Sequence, residues 1–207
     1  MQYNDASAAE GFGLALSRIE PGSMDSFNER NEMSVIPGIT RLVEGFRARN
    51  LPIVYVCVGS DYQELRDLPA RHREWIRRIE RESGVEDILW SQTPSSRVRE
   101  EFPPREGDTV VKKTAFGAFT SSTLDETLRS MGIEQLIVVG IATNCCVSTT
   151  VRDAADLGYS CVVVEECTGD YDQATHDMAI RGLYFNFARI VLTTEEMLDA
   201  IDERCAV

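Results

Sequence analysis

Short apolar runs alternate with helix-length amphipathic segments along most of the chain after residue 35. Continuous apolar runs are typical of strands that are buried on both faces of a parallel sheet. Between them, apolar residues recur at helical spacing, as at Ile39, Leu42 and Val43. This order predicts an α/β protein with three layers, in which helices cover both faces of a Rossmann-like, mostly parallel sheet. The runs occupy residues 53–58, 109–111, 136–139, 161–164 and 190–192.

Two helix starts have the spacing of a capping box. In this motif a Ser or Thr oxygen and a Glu or Gln side chain three residues later accept each other's backbone N–H groups. Thr123 with Glu126 and Thr193 with Glu196 have that spacing. We therefore expect helices to begin at both sites.

The length of 207 residues is ordinary for one domain, and the chain contains no internal repeat or linker. We therefore expect a single domain over residues 1–207. Two polar stretches, residues 8–34 and 60–107, interrupt the alternation. Long connections in a compact domain are often lids or binding loops. A solvated excursion or a subunit contact is the alternative.

The charge balance excludes some partners. The formal net charge is −13 at pH 7, which disfavours a nucleic acid or an anionic membrane because both carry the same sign. No apolar run approaches the length of a membrane span. The first residues lack the basic start and apolar stretch of a signal peptide, so we expect a cytoplasmic protein.

A pair of cysteines follows the apolar run that ends at Gly140. Cys145 and Cys146 lie in the first turn of a predicted helix, which continues to Leu157 and stops at Gly158. Open α/β sheets build their sites at the carboxyl ends of the strands. The positive end of a helix dipole favours a thiolate over a thiol. The pair therefore predicts a cysteine nucleophile.

A pair of lysines follows the strand that ends at Val111. Lys112 and Lys113 are expected at the same sheet edge as the cysteines. A lysine near a thiol lowers the thiol pKa, because its charge stabilises the thiolate. Taken alone, two lysines after a strand are more often a solvated loop. The combination with the cysteines favours a reactive site.

The lysines and cysteines belong to two motifs with fixed spacing. The first has the form K-x-x-x-(S/G)-A-F, and the second has the form G-x-x-T-x-x-C-V, followed by T and R-D-A. Together they resemble the isochorismatase-like cysteine hydrolases, which include nicotinamidases, N-carbamoyl-amide hydrolases and ureidoacrylate amidohydrolases. The spacing selects Lys113 over Lys112 and Cys146 over Cys145. The matching residues are Lys113, Gly117, Ala118, Phe119, Gly140, Thr143, Cys146, Val147, Thr150, Arg152, Asp153 and Ala154.

The resemblance implies an amidohydrolase. Cys146 would attack the carbonyl of a small amide, ureide or carbamoyl compound to give a thioester, with Lys113 as a second catalytic residue. It also implies a cis peptide bond at Ile141–Ala142 and an oxyanion hole made by the backbone N–H groups of Ala142 and Cys146. The cysteine favours amide hydrolysis over the vinyl-ether hydrolysis of isochorismatases. The alternatives are a catalytically impaired, ligand-binding or interaction member, and a redox sensor built on Cys145 and Cys146.

The family's third catalytic residue is an aspartate in a D-x-Q context at the end of the first strand. Gln2 matches the glutamine, so the aspartate would lie immediately before Met1, together with the apolar first strand. The simplest interpretation is that Met1 is an internal methionine. Asp5 is the nearest carboxylate, but it lies several residues past the expected position, and we do not assign the role to it.

Further expectations concern the pocket. Nicotinamidase-like members carry a D-x-H plus H metal set after the second strand, whereas this chain has Ser60 and Asp61 there. We expect no metal and no other cofactor. Phe116 and Phe119 are predicted to line the substrate pocket, although core packing is the alternative. His176 is interpreted as structural. The family's habit of assembly implies a homodimer or homotetramer.

Overall fold

The computed structural model describes residues 1–3 and 5–205. Within this part of the chain, every pair of neighbouring strands is parallel. One sheet contains β1 and β2, and the other contains β3, β4 and β5 in that order. The strands are Val54–Val58, Thr109–Lys113, Gln135–Ile141, Ser160–Gly169 and Ala188–Val191.

Eight α-helices are described between and around the strands. Short π-helical segments, Asn31–Val35 and Thr143–Val147, lead into α3 and α6. No helix in the described ranges combines the length and apolar character needed to cross a bilayer. The helices α1 to α8 are Gly11–Ile19, Asp25–Arg30, Ile36–Ala48, Ala70–Ser83, Leu124–Ser130, Ser148–Asp156, Gln173–Tyr184 and Thr194–Cys205.

Successive strand residues contribute to two different cores. Val54 and Val56 of β1 contact a first core, which is closed by α5, α6 and α7. Tyr55 and Cys57 contact a second core, which is closed by α3 and α8. The same alternation continues along β3 and β4, because strand side chains point to opposite faces in turn. The structure thus confirms the predicted three layers.

The two polar stretches pack against each other. Helices α1 and α4 form a third core with the loops that flank α4. Phe12 and Ala15 come from the first stretch, and Ile76 and Ile79 from the second; all four are buried. These stretches are therefore a folded unit with its own apolar interior. Phe12 and Ile76 also line the large cavity of the protein.

That cavity separates β1 from β3. It has a volume of about 1490 Å³, and both strands line it. Residues 1 and 2 lie at the carboxyl ends of these strands. The Gln2 carboxamide accepts the Val58 N–H at 2.7 Å and donates to the Val58 carbonyl at 3.1 Å. Met1 Cγ lies 4.0 Å from the point where a Cβ on Gly140 would be.

Both predicted helix starts are confirmed, with α5 beginning at Leu124 and α8 at Thr194, but only the second has the bonds of a capping box. Thr193 Oγ1 accepts the N–H of Glu196 at 3.2 Å, and the Glu196 carboxylate accepts the N–H of Thr193 at 3.2 Å. At the start of α5 the side chain of Thr123 makes no capping bond. Ser122 stands one residue earlier, and its hydroxyl accepts the N–H of Leu124 at 3.2 Å instead.

The third core generates a prediction about stability. Ile76 is 1% exposed, so Ile76→Ala should lower the free energy of unfolding by about 2–5 kcal/mol, the usual cost of a cavity in a packed core. Arg78→Ala on the same helix is the control. The Arg78 side chain is 64% exposed, and its removal should cost less than about 0.5 kcal/mol. Urea unfolding measures the free energy of unfolding of both variants. An equally small change in the two variants would show that this core does not contribute to global stability.

Candidate active site

The predicted site residues meet at the carboxyl ends of the strands. Lys113 is the last residue of β2 and lies in register with Val58, the last residue of β1. The cysteine pair follows the end of β3. Lys113, Ala142, Cys145 and Cys146 all line the cavity between the two sheets. The cavity therefore brings together groups from two separate sheets that are about thirty residues apart in sequence.

The two lysines have different surroundings. Lys113 is 4% exposed, and its ammonium donates a short hydrogen bond to the backbone carbonyl of Phe116. Lys112 forms an ion pair with Asp61 and is exposed. This difference follows from the alternation of side chains along β2. The structure therefore places Lys113, the residue selected by the motif, in the cavity.

The cysteine pair lies on the π-helical segment that follows β3. The peptide bond Ile141–Ala142 is cis, which confirms the prediction. The Ala142 carbonyl accepts the N–H groups of Cys145 at 3.1 Å and Val147 at 3.2 Å. Cys146 belongs to the π-helical segment that precedes α6, so the predicted helix begins with a wider turn. The oxyanion hole of Ala142 and Cys146 remains a prediction.

Burial affects the first cysteine of the pair strongly. It raises the pKa of Cys145 to about 11, and the neighbouring charges of Cys146 and Asp170 act in the same direction. The Lys113 ammonium opposes them, so its charge reaches the cysteine turn. At neutral pH Cys145 is a thiol.

Asp170 supports the turn and was missed in the sequence. It follows β4 directly and is buried. One carboxylate oxygen accepts the N–H of Asn144, and the other accepts the N–H of Tyr171 at 2.9 Å. The carboxylate thereby ties the end of β4 to the segment that carries Cys146. The apolar run of β4 ends at Val164, six residues before Asp170, so the sequence contains no direct signal for it.

An aromatic stack forms one wall of the cavity. The Phe116 ring lies on the His72 ring at 4.6 Å between centroids, and Trp75 lies 5.8 Å from His72. His72 Nδ1 is buried without a hydrogen-bond partner. Burial lowers the pKa of His72; a hydrogen bond with the Thr114 backbone raises it, and the Lys113 charge lowers it further. All three rings line the cavity.

The two phenylalanines predicted for the pocket differ. Phe116 is 39% exposed and lies in the aromatic stack beside Lys113. Phe119 packs into the first core, and its ring lies 5.5 Å from that of Tyr159. For Phe119 the structure therefore shows the alternative, core packing. Phe119 begins a short 3₁₀ turn, whereas Phe116 lies in the loop before it.

The acidic and hydroxyl groups after β1 are engaged in other contacts. Ser60 makes a short hydrogen bond to Asp67, and Asp61 pairs with Lys112. Among the described residues, no three or more His, Cys, Asp or Glu side chains are grouped so that they could hold a metal ion. Asp5 lines the cavity, and its charge adds to the burial that raises the pKa of Tyr171.

Comparison with known proteins agrees with this geometry. The family model described as the isochorismatase domain matches residues 25–196. The uncharacterized isochorismatase family protein YwoC of Bacillus subtilis (strain 168) is 32% identical over 174 residues, which are 81% of this chain and 83% of YwoC. The chain belongs to the isochorismatase family.

Two further relatives have names that describe a reaction. Ureidoacrylate amidohydrolase RutB of Variovorax paradoxus (strain S110) is 52% identical over 68 residues, which are 33% of this chain and 27% of that relative's length. The crystal structure of N-carbamoylsarcosine amidase from Thermoplasma acidophilum superposes with a TM-score of 0.60 at 27% identity. That match covers 76% of this chain and 82% of the amidase.

The burial of Cys145 generates a prediction. With a pKa of about 11, Cys145 is roughly 0.1% thiolate near pH 8, so iodoacetamide should label it slowly there and faster as the pH rises toward about 10. Mass spectrometry of the cysteine peptides measures the rates. Cys161, whose pKa burial also raises to about 11, is an internal control. Labelling of Cys145 near pH 8 as fast as that of free cysteine would contradict this assignment.

Proposed function

We propose that this protein hydrolyses a C–N bond in a small amide, ureide or carbamoyl compound through a thioester on Cys146. The observation that carries the proposal is the shared cavity of Cys146 and the buried ammonium of Lys113. The Lys113 charge acts on the cysteine turn, where it opposes the burial that raises the pKa of Cys145. The relatives named as a ureidoacrylate amidohydrolase and an N-carbamoylsarcosine amidase support the same bond type.

The reaction has two steps. In the first, Cys146 Sγ forms a bond to the carbonyl carbon, the C–N bond breaks, and the thiol proton leaves with the nitrogen as ammonia or an amine. In the second, water adds to the thioester, the C–S bond breaks, and the thiol is restored. One water is consumed. The backbone N–H groups of Ala142 and Cys146 are proposed to stabilise the oxyanion in both steps.

The proposed substrate is a small molecule with a flat group next to the scissile bond. The Phe116 and His72 rings offer such a group a stacking surface beside Lys113. The net charge of −13 disfavours nucleic acid and membrane partners. We propose a cytoplasmic homodimer or homotetramer that uses water as its only co-substrate and needs no cofactor or metal.

Substitution of the two central residues tests the function. Cys146→Ala should lower kcat/KM by at least about 10⁴-fold, because the covalent route is lost. Lys113→Met keeps the volume but removes the charge and should cost about 10²-fold or more. Cys145→Ser is the matched control and should stay within about threefold of the wild type, because Cys145 is protonated at neutral pH. Ammonia release from ureidoacrylate, N-carbamoyl amino acids and simple amides measures turnover, and circular dichroism checks the fold.

The outcomes separate the alternative functions. Turnover by Cys146→Ala on any amide would reject the proposal. Binding without ammonia release across the panel would favour a ligand-binding member of the family. Cleavage of a vinyl ether by both the wild type and Cys146→Ala would favour an isochorismatase-type reaction.

The aromatic wall generates a second prediction. Phe116→Ala should raise KM by about tenfold, since a stacking surface worth roughly 1–1.5 kcal/mol is lost, while kcat changes less. Phe119→Leu is the control: it lies in the core, so it should lower thermal stability and leave KM within about twofold. Steady-state kinetics on the best substrate measures both. An unchanged KM in Phe116→Ala would remove this ring from the substrate site.

A further inference from the structure

A buried histidine lies beneath the turn that carries the cysteines. His176 of α7 is 0% exposed, and its Nδ1 lies 2.9 Å from the hydroxyl oxygen of Thr143. Its Nε2 lies 2.9 Å from Nη2 of Arg30. Thr143 is also fully buried, and it is the first residue of the π-helical segment that contains Cys146. The histidine therefore connects the end of α2 to the cysteine turn.

The contact with Arg30 determines which ring nitrogen carries the proton. A guanidinium only donates hydrogen bonds, so Nε2 of His176 must accept one. In a neutral imidazole the other nitrogen then carries the hydrogen. Nδ1–H therefore donates to the Thr143 hydroxyl. Arg30 is itself held by β4, because it donates to the carbonyl groups of Thr168 at 2.9 Å and Glu165 at 3.3 Å.

The charges around His176 favour the neutral ring. Burial lowers its pKa, and the Arg30 charge from α2 lowers it further. The carboxylates of Glu165 on β4 and Asp177 on α7 act in the opposite direction, and Glu165 lies 3.7 Å from Nε2. The pKa of His176 lies below its usual value, so the ring stays neutral at physiological pH.

Thr143 sits directly next to the groups proposed to react. It follows Ala142, whose carbonyl accepts the N–H groups of Cys145 and Val147. A shift of the Thr143 side chain would move this backbone, and with it the Cys146 thiol and the proposed oxyanion hole. Displacements below an ångström at such a site cost a large part of the rate.

We propose that His176 is a positioning residue, whose neutral, Nδ1-protonated ring holds Thr143 and thereby the turn that carries Cys146 and Ala142. Its effect on turnover rests on the hydrolase function proposed above. The effect on the geometry of Cys146 does not, because the alkylation rate of this thiol can be measured without any substrate.

Two variants of His176 separate the two contacts. His176→Asn places an amide N–H near the position of Nδ1 and can still donate to Thr143. His176→Gln reaches the position of Nε2, where its oxygen can accept from Arg30 but leaves Thr143 without its donor. We expect His176→Gln to lower both kcat and the rate of iodoacetamide alkylation at Cys146 by about tenfold or more, with KM within about threefold. His176→Asn should stay within about threefold of the wild type in all three quantities.

Alkylation is measured in a Cys145→Ser background by mass spectrometry of the Cys146 peptide, and thermal unfolding is followed in parallel. Equal losses in the Asn and Gln variants, or none in either, would overturn the proposal in favour of a packing role. A loss of alkylation in His176→Gln without wild-type turnover on any amide would support the positioning role and reject the hydrolase function. If the wild type turns over an amide and His176→Gln is fully active, the hydrolase function is supported and the positioning role is rejected.

Variants of Thr143 keep the test decisive if the His176 variants do not fold. Thr143→Ser retains the hydroxyl and should retain the alkylation rate within about threefold, whereas Thr143→Val keeps the shape, removes the acceptor and should lose about tenfold or more. An unchanged rate in Thr143→Val would overturn the proposal. In folded double variants, Thr143→Val should add no further loss to His176→Gln, because both remove the same hydrogen bond.

Discussion

Alternate side chains along each buried strand belong to opposite cores, and this constraint determines where the protein can hold polar chemistry. Val54 and Val56 contact one core while Tyr55 and Cys57 contact the other. A charged group in the middle of such a strand would be desolvated on either face. Charged residues inside the strands stay partly exposed, as Glu165 and Glu166 of β4 do. Lys113 and the cysteine turn accordingly lie at carboxyl ends.

The sequence was sufficient where a structural feature depends on residues close together in the chain. The apolar runs predicted where each strand lies, although β2 continues through Lys112 and Lys113 and β4 continues to Gly169. Because both lysines belong to β2, their side chains point to opposite sides of the strand, and Lys113 is the buried one. Motif spacing selected the same lysine. The Thr193–Glu196 capping box was likewise predictable, because both partners lie within one helical turn.

Features that depend on distant residues could not be predicted. Arg30 and His176 are 146 positions apart, and no local pattern connects them. The two polar stretches fold against each other, but each alone resembles a long surface loop. The different surroundings of Phe116 and Phe119 also could not be predicted, although these residues are close together in the sequence. They are equally aromatic, yet one ring stacks on His72 and the other packs against Tyr159.

The residues that hold the cysteine turn in place and the residues that line the cavity next to it come from different parts of the chain. Behind it, Thr143 contacts His176, and Asp170 holds the N–H of Asn144. In front lie the cavity and the wall formed by the third core and the aromatic stack. The residues that hold the turn and the residues that form the wall are largely different. Substitutions in the wall can therefore alter the choice of substrate without moving Cys146. A buried polar network can then keep one reaction geometry for many different pockets.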